Sequence, residues 1–159
     1  YATYVENDIA EYKNAFLETG GTEDAFAAKG IVADINYEIK NQGEEYVSFV
    51  VYVTENWTSN VPQAHYYNLD LQKDRYLTLA DLLGNDYITI CNDSITKQMQ
   101  QRLDKEQYLS YFAAEDGGFT SVDENTKFYI NSKGNPVIVF DKYEIAPGAF
   151  GVQEFEIAK

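Results

Sequence analysis

The chain has 159 residues, of which 45% are hydrophobic and 15% aromatic, and this composition is typical of a folded globular protein with its own core. Acidic residues outnumber basic ones 26 to 12, which gives a formal net charge of −14. This charge disfavours nucleic acid as a partner, because phosphate binding requires clustered Lys and Arg. It suits a cationic protein, a peptide or a metal ion, or it serves solubility alone.

The chain contains one cysteine and one histidine, so it forms no internal disulfide and no zinc site of several Cys or His ligands. No apolar run is long enough to span a membrane, and no signal-peptide core is present. Because the chain begins at Tyr1 and its one methionine is Met99, we expect that a preceding segment has been removed. Any membrane attachment would lie in that segment.

The first 72 residues predict two helices followed by three strands. Apolar residues at helical spacing indicate an amphipathic helix that ends at Gly20, and they are Val5, Ile9, Tyr12 and Phe16. Thr22 is placed to cap a short second helix that ends near Gly30. Alternating apolar and polar residues, or runs rich in β-branched residues, then predict strands at residues 31–40, 46–55 and 64–72.

The remaining residues predict helices followed by strands. Thr78 is placed to cap a helical turn at residues 79–83, and a longer helix over 87–103 carries Cys91 on its apolar face as a small buried hydrophobe. We expect a further short helix at 106–113 and strands at 127–131, 136–140 and 152–157. Together these elements predict one α+β domain over residues 1–159, an antiparallel sheet with helices packed on one face. Its parts are a helical segment (1–30), first strands (31–72), helices (77–113) and last strands (127–157).

The segment between the last two strands predicts a turn that supports the fold. Pro147 fixes its own φ and Gly148 tolerates a positive φ, which is the order that a type II turn requires. Gly151 supplies a second permissive position. We therefore expect three side chains of this segment to cover the end of the core: Tyr143, Ile145 and Phe150.

No motif for a cofactor, a metal or an activated nucleophile is present, so we predict no cofactor, no metal site and no enzymatic activity. His65 is either a general base or a histidine on the inner face of a strand, and the strand pattern favours the second. Glycoside hydrolysis requires two carboxylates across a cleft. The candidates for such a pair are more simply interpreted as solvated acids, and they are Asp141, Glu144, Glu154 and Glu156.

Trp57 stands alone in a polar loop, so it is either an anchor for a ligand or a ring folded back onto the sheet. Both interpretations stay open on the sequence. The surrounding Asn-Trp-Thr triplet, like Asn92-Asp93-Ser94, matches a glycosylation pattern that is too short to be informative.

Several motifs, in a kept order over roughly residues 31–157, resemble the RsiV-like extracytoplasmic domain family. They are HYYNLD at 65–70, LTLADLL at 77–83, KFYI at 127–130, VIVF at 137–140 and YEIAPGAFG at 143–151. The family has a Gly-Gly-Ala-His turn before the third strand. Here the matching residues 61–65 read VPQAH, which keeps His65 and lacks both glycines.

The resemblance implies an α+β domain held outside the bacterial membrane without catalysis of its own. The family includes the outer domain of an anti-sigma factor that binds lysozyme, a basic protein, and modules beside peptidoglycan deacetylase domains. We therefore expect an extracytoplasmic sensor of the cell envelope that binds a cationic, lysozyme-like protein. The alternative is a peptidoglycan accessory module. The residues expected to contact the ligand are Trp57, His65, Tyr66, Tyr143 and Glu144.

Overall fold

The computed structural model describes residues 2–57 and 62–158, which form four α-helices and seven strands. The helices are α1 (Ala2–Glu18), α2 (Glu23–Ala27), α3 (Leu79–Leu83) and α4 (Tyr87–Lys105). The strands are β1 (Ala33–Gln42), β2 (Tyr46–Glu55), β3 (Gln63–Asp70), β4 (Arg75–Tyr76), β5 (Phe128–Ile130), β6 (Pro136–Phe140) and β7 (Gln153–Glu156). Two short 3₁₀ turns, Ala114–Asp116 and Gly148–Phe150, complete the structure. None of the described helices is both long and apolar enough to cross a membrane.

The predicted α+β class is confirmed, but the strands form two antiparallel sheets where the sequence predicted one. The first sheet has the order β1-β2-β3-β4, and the second has the order β5-β6-β7.

The contacts between residues divide the chain into two compact units. Unit 1 comprises Tyr1–Tyr37 and Val51–His65, and unit 2 comprises Glu38–Val50 and Tyr66–Lys159. The unit boundaries therefore fall within β1, β2 and β3.

The core of unit 2 is built around β6, the middle strand of the second sheet. All five residues of β6 are buried, as expected for a short continuous apolar run. Ile138 lies opposite Phe128 on one neighbouring strand and opposite Phe155 on the other. The fully buried Cys91 and Ile95 of α4 belong to the same hydrophobic cluster, which confirms the predicted burial of the cysteine.

In unit 1 the predicted amphipathic helix is present as α1, and its half-buried face carries the expected apolar residues. Thr22 caps α2 by accepting a hydrogen bond from Ala25 N at 3.2 Å. The rings of Tyr12 and Phe16 lie 5.8 and 6.0 Å from the ring of Phe26 on α2. Aromatic packing therefore joins the two helices.

The predicted helix at residues 106–113 is wrong. Helix α4 ends where Glu106 N donates to Arg102 O, and Glu106 itself has a φ of −117°. Further along, Phe112 N donates to Ile145 O at 2.9 Å. The backbone of this segment is thus bonded to a distant loop, a long-range partner that local helical propensity does not reveal.

Two buried polar side chains join the two sheets within unit 2. Ser48 on β2 donates from Oγ to Asn68 Oδ1 on β3 at 2.7 Å, and the same Oγ accepts from Ile130 N on β5 at 2.8 Å. Asn68 Nδ2 donates to Phe128 O on β5 at 2.9 Å. The outer edge of β5 is therefore hydrogen-bonded by side chains of the first sheet. We call this arrangement the Ser48–Asn68 bridge.

Ser48→Ala is expected to lower the free energy of unfolding by about 1–3 kcal/mol, because it leaves the buried Ile130 N–H and Asn68 amide without their partner. Ser132→Ala, at an exposed position of the turn before β6, is the matched control and is expected to have little effect. Urea unfolding of both variants measures the difference. Equal stabilities would contradict the role of the bridge.

Candidate functional site

The loop that connects β6 to β7, residues 141–151, carries the most specific part of the family resemblance, and we call it the C-terminal loop. Tyr143 in this loop has a φ of 73°, a conformation that costs free energy in a non-glycine residue. Its side chain is 65% exposed, and Lys142 Nζ lies 5.1 Å from the centre of its ring. The prediction that Tyr143 covers the core is therefore wrong. The ring faces solvent on a strained backbone.

Gly148 serves a different purpose from the one predicted. It is not among the glycines with positive φ, and it begins the 3₁₀ turn Gly148–Phe150, closed by a bond from Phe150 N to Pro147 O at 2.9 Å. A Cβ atom at this position would lie 2.1 Å from Cζ of Tyr143. Glycine fits this position because the tyrosine ring lies directly against its backbone, where any larger side chain would clash with the ring. Gly151, with a φ of 68°, is permissive as predicted.

The rest of the C-terminal loop is held by internal contacts. Ile145 is buried in the core of unit 2 as expected, whereas Phe150 is half-buried. Glu144 is exposed, and its Oε2 accepts from Asp141 N at 2.6 Å, while Asp141 forms an ion pair with Lys127. A cavity of about 250 Å³ lies beside the loop, and its lining includes Ser121, Asp123, Thr126, Lys127 and Glu144.

The carboxylates considered for glycoside hydrolysis have structural partners. Glu154 accepts a hydrogen bond from the Tyr129 hydroxyl at 3.3 Å, and Glu156 accepts one from Asn135 Nδ2 at 2.7 Å. The bond from Asn135 holds the pKa of Glu156 below its usual value, the opposite of what a general acid needs.

No group of three or more potential metal ligands occurs among the described residues.

The other predicted contact residues pack against aromatic neighbours. In unit 2 the ring of Tyr66 stacks on Tyr129 with the centroids 6.1 Å apart. In unit 1 Trp57 is half-buried and its ring stacks on that of Tyr12, a residue of α1, with the centroids 6.5 Å apart, so the ring packs on a helix. His65 is half-buried on β3, with its ring edge-to-face to that of Tyr4 at 6.1 Å. The buried residues of β3 are Asn68 and Asp70, at the alternate positions, so His65 is not on the face of this strand that they occupy.

An acidic pair in unit 1 was not predicted from the sequence. Glu55, at the end of β2, is only 3% exposed. Burial raises the pKa of its carboxyl group, and the charge of Asp8 and a hydrogen bond with the Asp8 side chain raise it further. Burial also raises the pKa of Tyr4, with smaller contributions from the same two acids. A strand pattern places Glu55 on an inner face, but only the tertiary structure brings Asp8 of α1 to it.

Comparisons with known proteins agree on one family. The sequence profile described as "Protein of unknown function (DUF3298)" matches residues 80–159. The anti-sigma-V factor RsiV of Bacillus subtilis (strain 168) is 30% identical over 125 residues, which are 77% of this chain. The aligned part covers 44% of RsiV, so the chain spans less than half the length of that relative.

Two crystal structures of DUF3298 family members share the fold. A protein from Bacteroides fragilis NCTC 9343 has a TM-score of 0.63 and 20% identity, with 98% of this chain and 64% of that one covered. A protein from Pseudomonas aeruginosa PAO1 has a TM-score of 0.55 and 15% identity, with coverages of 91% and 71%.

Gly148→Ala is expected to lower the free energy of unfolding by about 1 kcal/mol, the low end for overpacking, because the exposed ring of Tyr143 can swing aside. In a Tyr143→Ala background the same change is expected to have no effect, since the clashing ring is gone. Gly43→Ala, whose new Cβ would make only an ordinary 3.8 Å contact, is the control. A double-mutant cycle with no coupling would contradict the contact.

Glu55→Gln is expected to raise stability near neutral pH and to leave it unchanged in acid. Because the folded-state pKa of Glu55 is raised above 4.5, the fold favours the protonated form and loses stability as the pH rises through that pKa. The neutral amide avoids this loss. Unfolding curves against pH test the expectation, with the exposed Glu44→Gln as control, and a constant difference between variant and parent would count against it.

Proposed function

The chain belongs to the DUF3298 family, and from this premise we propose that it is a non-enzymatic, extracytoplasmic sensor module of a bacterial envelope protein. The observation that carries the proposal is the 30% identity to anti-sigma-V factor RsiV over 77% of the chain. The relative's name identifies a regulator of transcription. A module of such a protein acts by binding a signal and passing it to other parts of the molecule.

The signal we propose is a cationic protein of the lysozyme type. The net charge of −14 attracts basic partners and accelerates their encounter at low salt. The resemblance to the RsiV-like family supports the same class of ligand. The alternative role of the charge, solubility alone, predicts no preference between basic and acidic proteins.

The contact surface we propose is the C-terminal loop around Tyr143 and Glu144. Strained backbone is concentrated at binding sites, where the surrounding structure holds a side chain in a defined position. Tyr143 fits this description, because its ring is exposed yet held against Gly148 and below Lys142. An exposed tyrosine offers a large contact area and has few rotatable bonds to fix when a ligand binds. The rings of the other expected contact residues, Trp57, His65 and Tyr66, each pack against an aromatic neighbour. That they contact the ligand stays a prediction.

Titration with lysozyme tests the ligand and the surface together. We expect saturable binding that weakens as salt is added, because screening reduces the attraction between the charges. Tyr143→Ala is expected to weaken binding by about tenfold or more without lowering the unfolding midpoint. Tyr108→Ala is the matched control, because Tyr108 is 85% exposed and lies outside the C-terminal loop. Binding that is indifferent to salt, or lost equally in both variants, would oppose the proposal.

A second candidate function is recognition of peptidoglycan glycans by a row of aromatic rings in unit 2. Phe49 and Tyr67 are stacked with their centroids 5.1 Å apart, and Tyr67 lies 6.3 Å from the exposed Tyr76. Sugar rings pack well on such surfaces. Pull-down with insoluble peptidoglycan separates the two candidates, since Tyr76→Ala should reduce retention only in the glycan-binding case. Incubation with the same material is expected to release no products.

A further inference from the structure

The edges of the two sheets differ in how their backbone groups are satisfied. On β7 the carbonyl groups of Glu154 and Glu156 accept hydrogen bonds from Arg102 and Gln98 of α4. On β5 the Ser48–Asn68 bridge supplies the partners. Strand β4 has only two residues. Strand edges invite pairing with another chain unless they are short or covered, and these three edges are short or hydrogen-bonded by side chains.

The fourth edge is β1, which differs in length and composition. It has ten residues, and its central residues 34–39 are all exposed. It is the outermost strand of the first sheet, with β2 as its one strand neighbour among the described residues. Alternation places an apolar set on one face of this strand, Ile35, Tyr37 and Ile39, all of them exposed, Tyr37 to 73%.

We propose that β1 is a dimerisation edge, on which a second copy of this chain pairs antiparallel about a two-fold axis at Tyr37. The two four-stranded sheets would then join into one continuous sheet. The occupant is a second copy because the sequence of β1 is complementary to itself in this arrangement. Isologous contacts of this kind are the commonest way in which soluble proteins form dimers.

The register follows from the side chains opposite one another. With Tyr37 opposite its own copy, Ile35 lies opposite Ile39, and Asp34 lies opposite Lys40. A shift of the axis to Asn36 puts Asp34 opposite Glu38 of the other copy, and a shift to Glu38 puts that glutamate opposite itself. Like charges directly opposite each other destabilise a strand pair, whereas opposite charges and aromatic pairs stabilise it. The Tyr37-centred register is therefore the favourable one of the three.

The basic residue in this pattern is held at the strand. Lys40 Nζ lies 2.9 Å from Glu38 Oε2 and 4.8 Å from the centre of the Tyr129 ring. Its positive charge is thus fixed on the face on which Asp34 also lies, since the two positions differ by an even number of residues. Asp34 Oδ2 accepts from Asn36 Nδ2 at 2.8 Å, which orients the carboxylate along the strand.

A single strand pair buries a small area, so the dimer is expected to be weak and to depend on concentration. The net charge of −14 on each copy opposes association as well. The proposal is independent of the cationic ligand, because neither Tyr143 nor Glu144 is part of β1. If the dimer proposal fails, the proposal of a cationic ligand is unaffected, and the reverse holds as well.

Light scattering coupled to size exclusion, over a series of protein concentrations, tests the dimer. The parent chain is expected to shift from monomer to dimer as its concentration rises. Tyr37→Lys is expected to remain monomeric with an unchanged unfolding midpoint, since the side chain is exposed in the monomer. Tyr108→Lys introduces the same charge change at another exposed position and should dimerise like the parent. A parent chain that stays monomeric throughout, or equal behaviour of both variants, would overturn the proposal.

Cross-linking tests the register. The one native cysteine, Cys91, is fully buried, so an introduced thiol reports on the surface alone. Side chains directly opposite have Cβ atoms about 4.5–5.5 Å apart, and diagonal neighbours are about 7–8 Å apart. Tyr37→Cys is therefore expected to form a disulfide-linked dimer faster than Asn36→Cys or Tyr108→Cys. Faster cross-linking of Asn36→Cys would overturn the Tyr37-centred register.

Discussion

The fold of unit 2 depends on the hydrogen-bonding requirement of a very short strand. Strand β5 has three residues, two of them buried, and its outer edge cannot reach water. Buried backbone groups without partners cost free energy, so the first sheet must supply partners. Ser48 and Asn68 do so from neighbouring strands and bond to each other as well. This requirement determines which face of β2 and β3 points inward, because both side chains must reach β5.

The same requirement explains why helix α4 and the C-terminal loop are where they are. Gln98 and Arg102 lie one turn apart on α4, and both reach the carbonyl groups on the outer edge of β7. Phe112 N bonds to Ile145 O, which ties the segment after α4 to the C-terminal loop. Because the loop is fixed at Ile145, its preceding residue pair, Tyr143 and Glu144, is held at the surface. Structural contacts thus create the one exposed, strained aromatic residue of the loop.

The sequence predicts this fold well where a periodic pattern decides the structure. The helices α1 and α4, the capped turn α3 and the buried strand β6 were all expected, because each has an uninterrupted pattern or a side-chain cap. The failures have long-range causes. Residues 106–113 contain helix-forming residues, but Phe112 N bonds to Ile145 O. The two sheets are linked by the buried side chains of Ser48 and Asn68, which a strand pattern does not reveal. At Gly148 the sequence indicates a special position, yet whether glycine is needed for its φ or for a neighbouring ring cannot be decided without the structure.

Three acidic residues with shifted pKa values make the stability of the fold depend on pH, and the one in unit 1 acts in the opposite direction from the two in unit 2. In unit 2, burial acts to raise the pKa of Asp70, but hydrogen bonds from the backbone of Lys73 and Gln72 dominate and lower it. The paired guanidinium of Arg75 lowers the pKa of Asp81. Groups with lowered pKa values stabilise the fold above their unfolded pKa and lose that effect as the pH falls through the folded one. Glu55 in unit 1 has a raised pKa, so its ionisation costs stability as the pH rises. As the pH falls, the penalty of ionising Glu55 is therefore relieved first, at a pH above its unfolded pKa, and the stabilisation by Asp70 and Asp81 is lost only at lower pH, below their unfolded pKa.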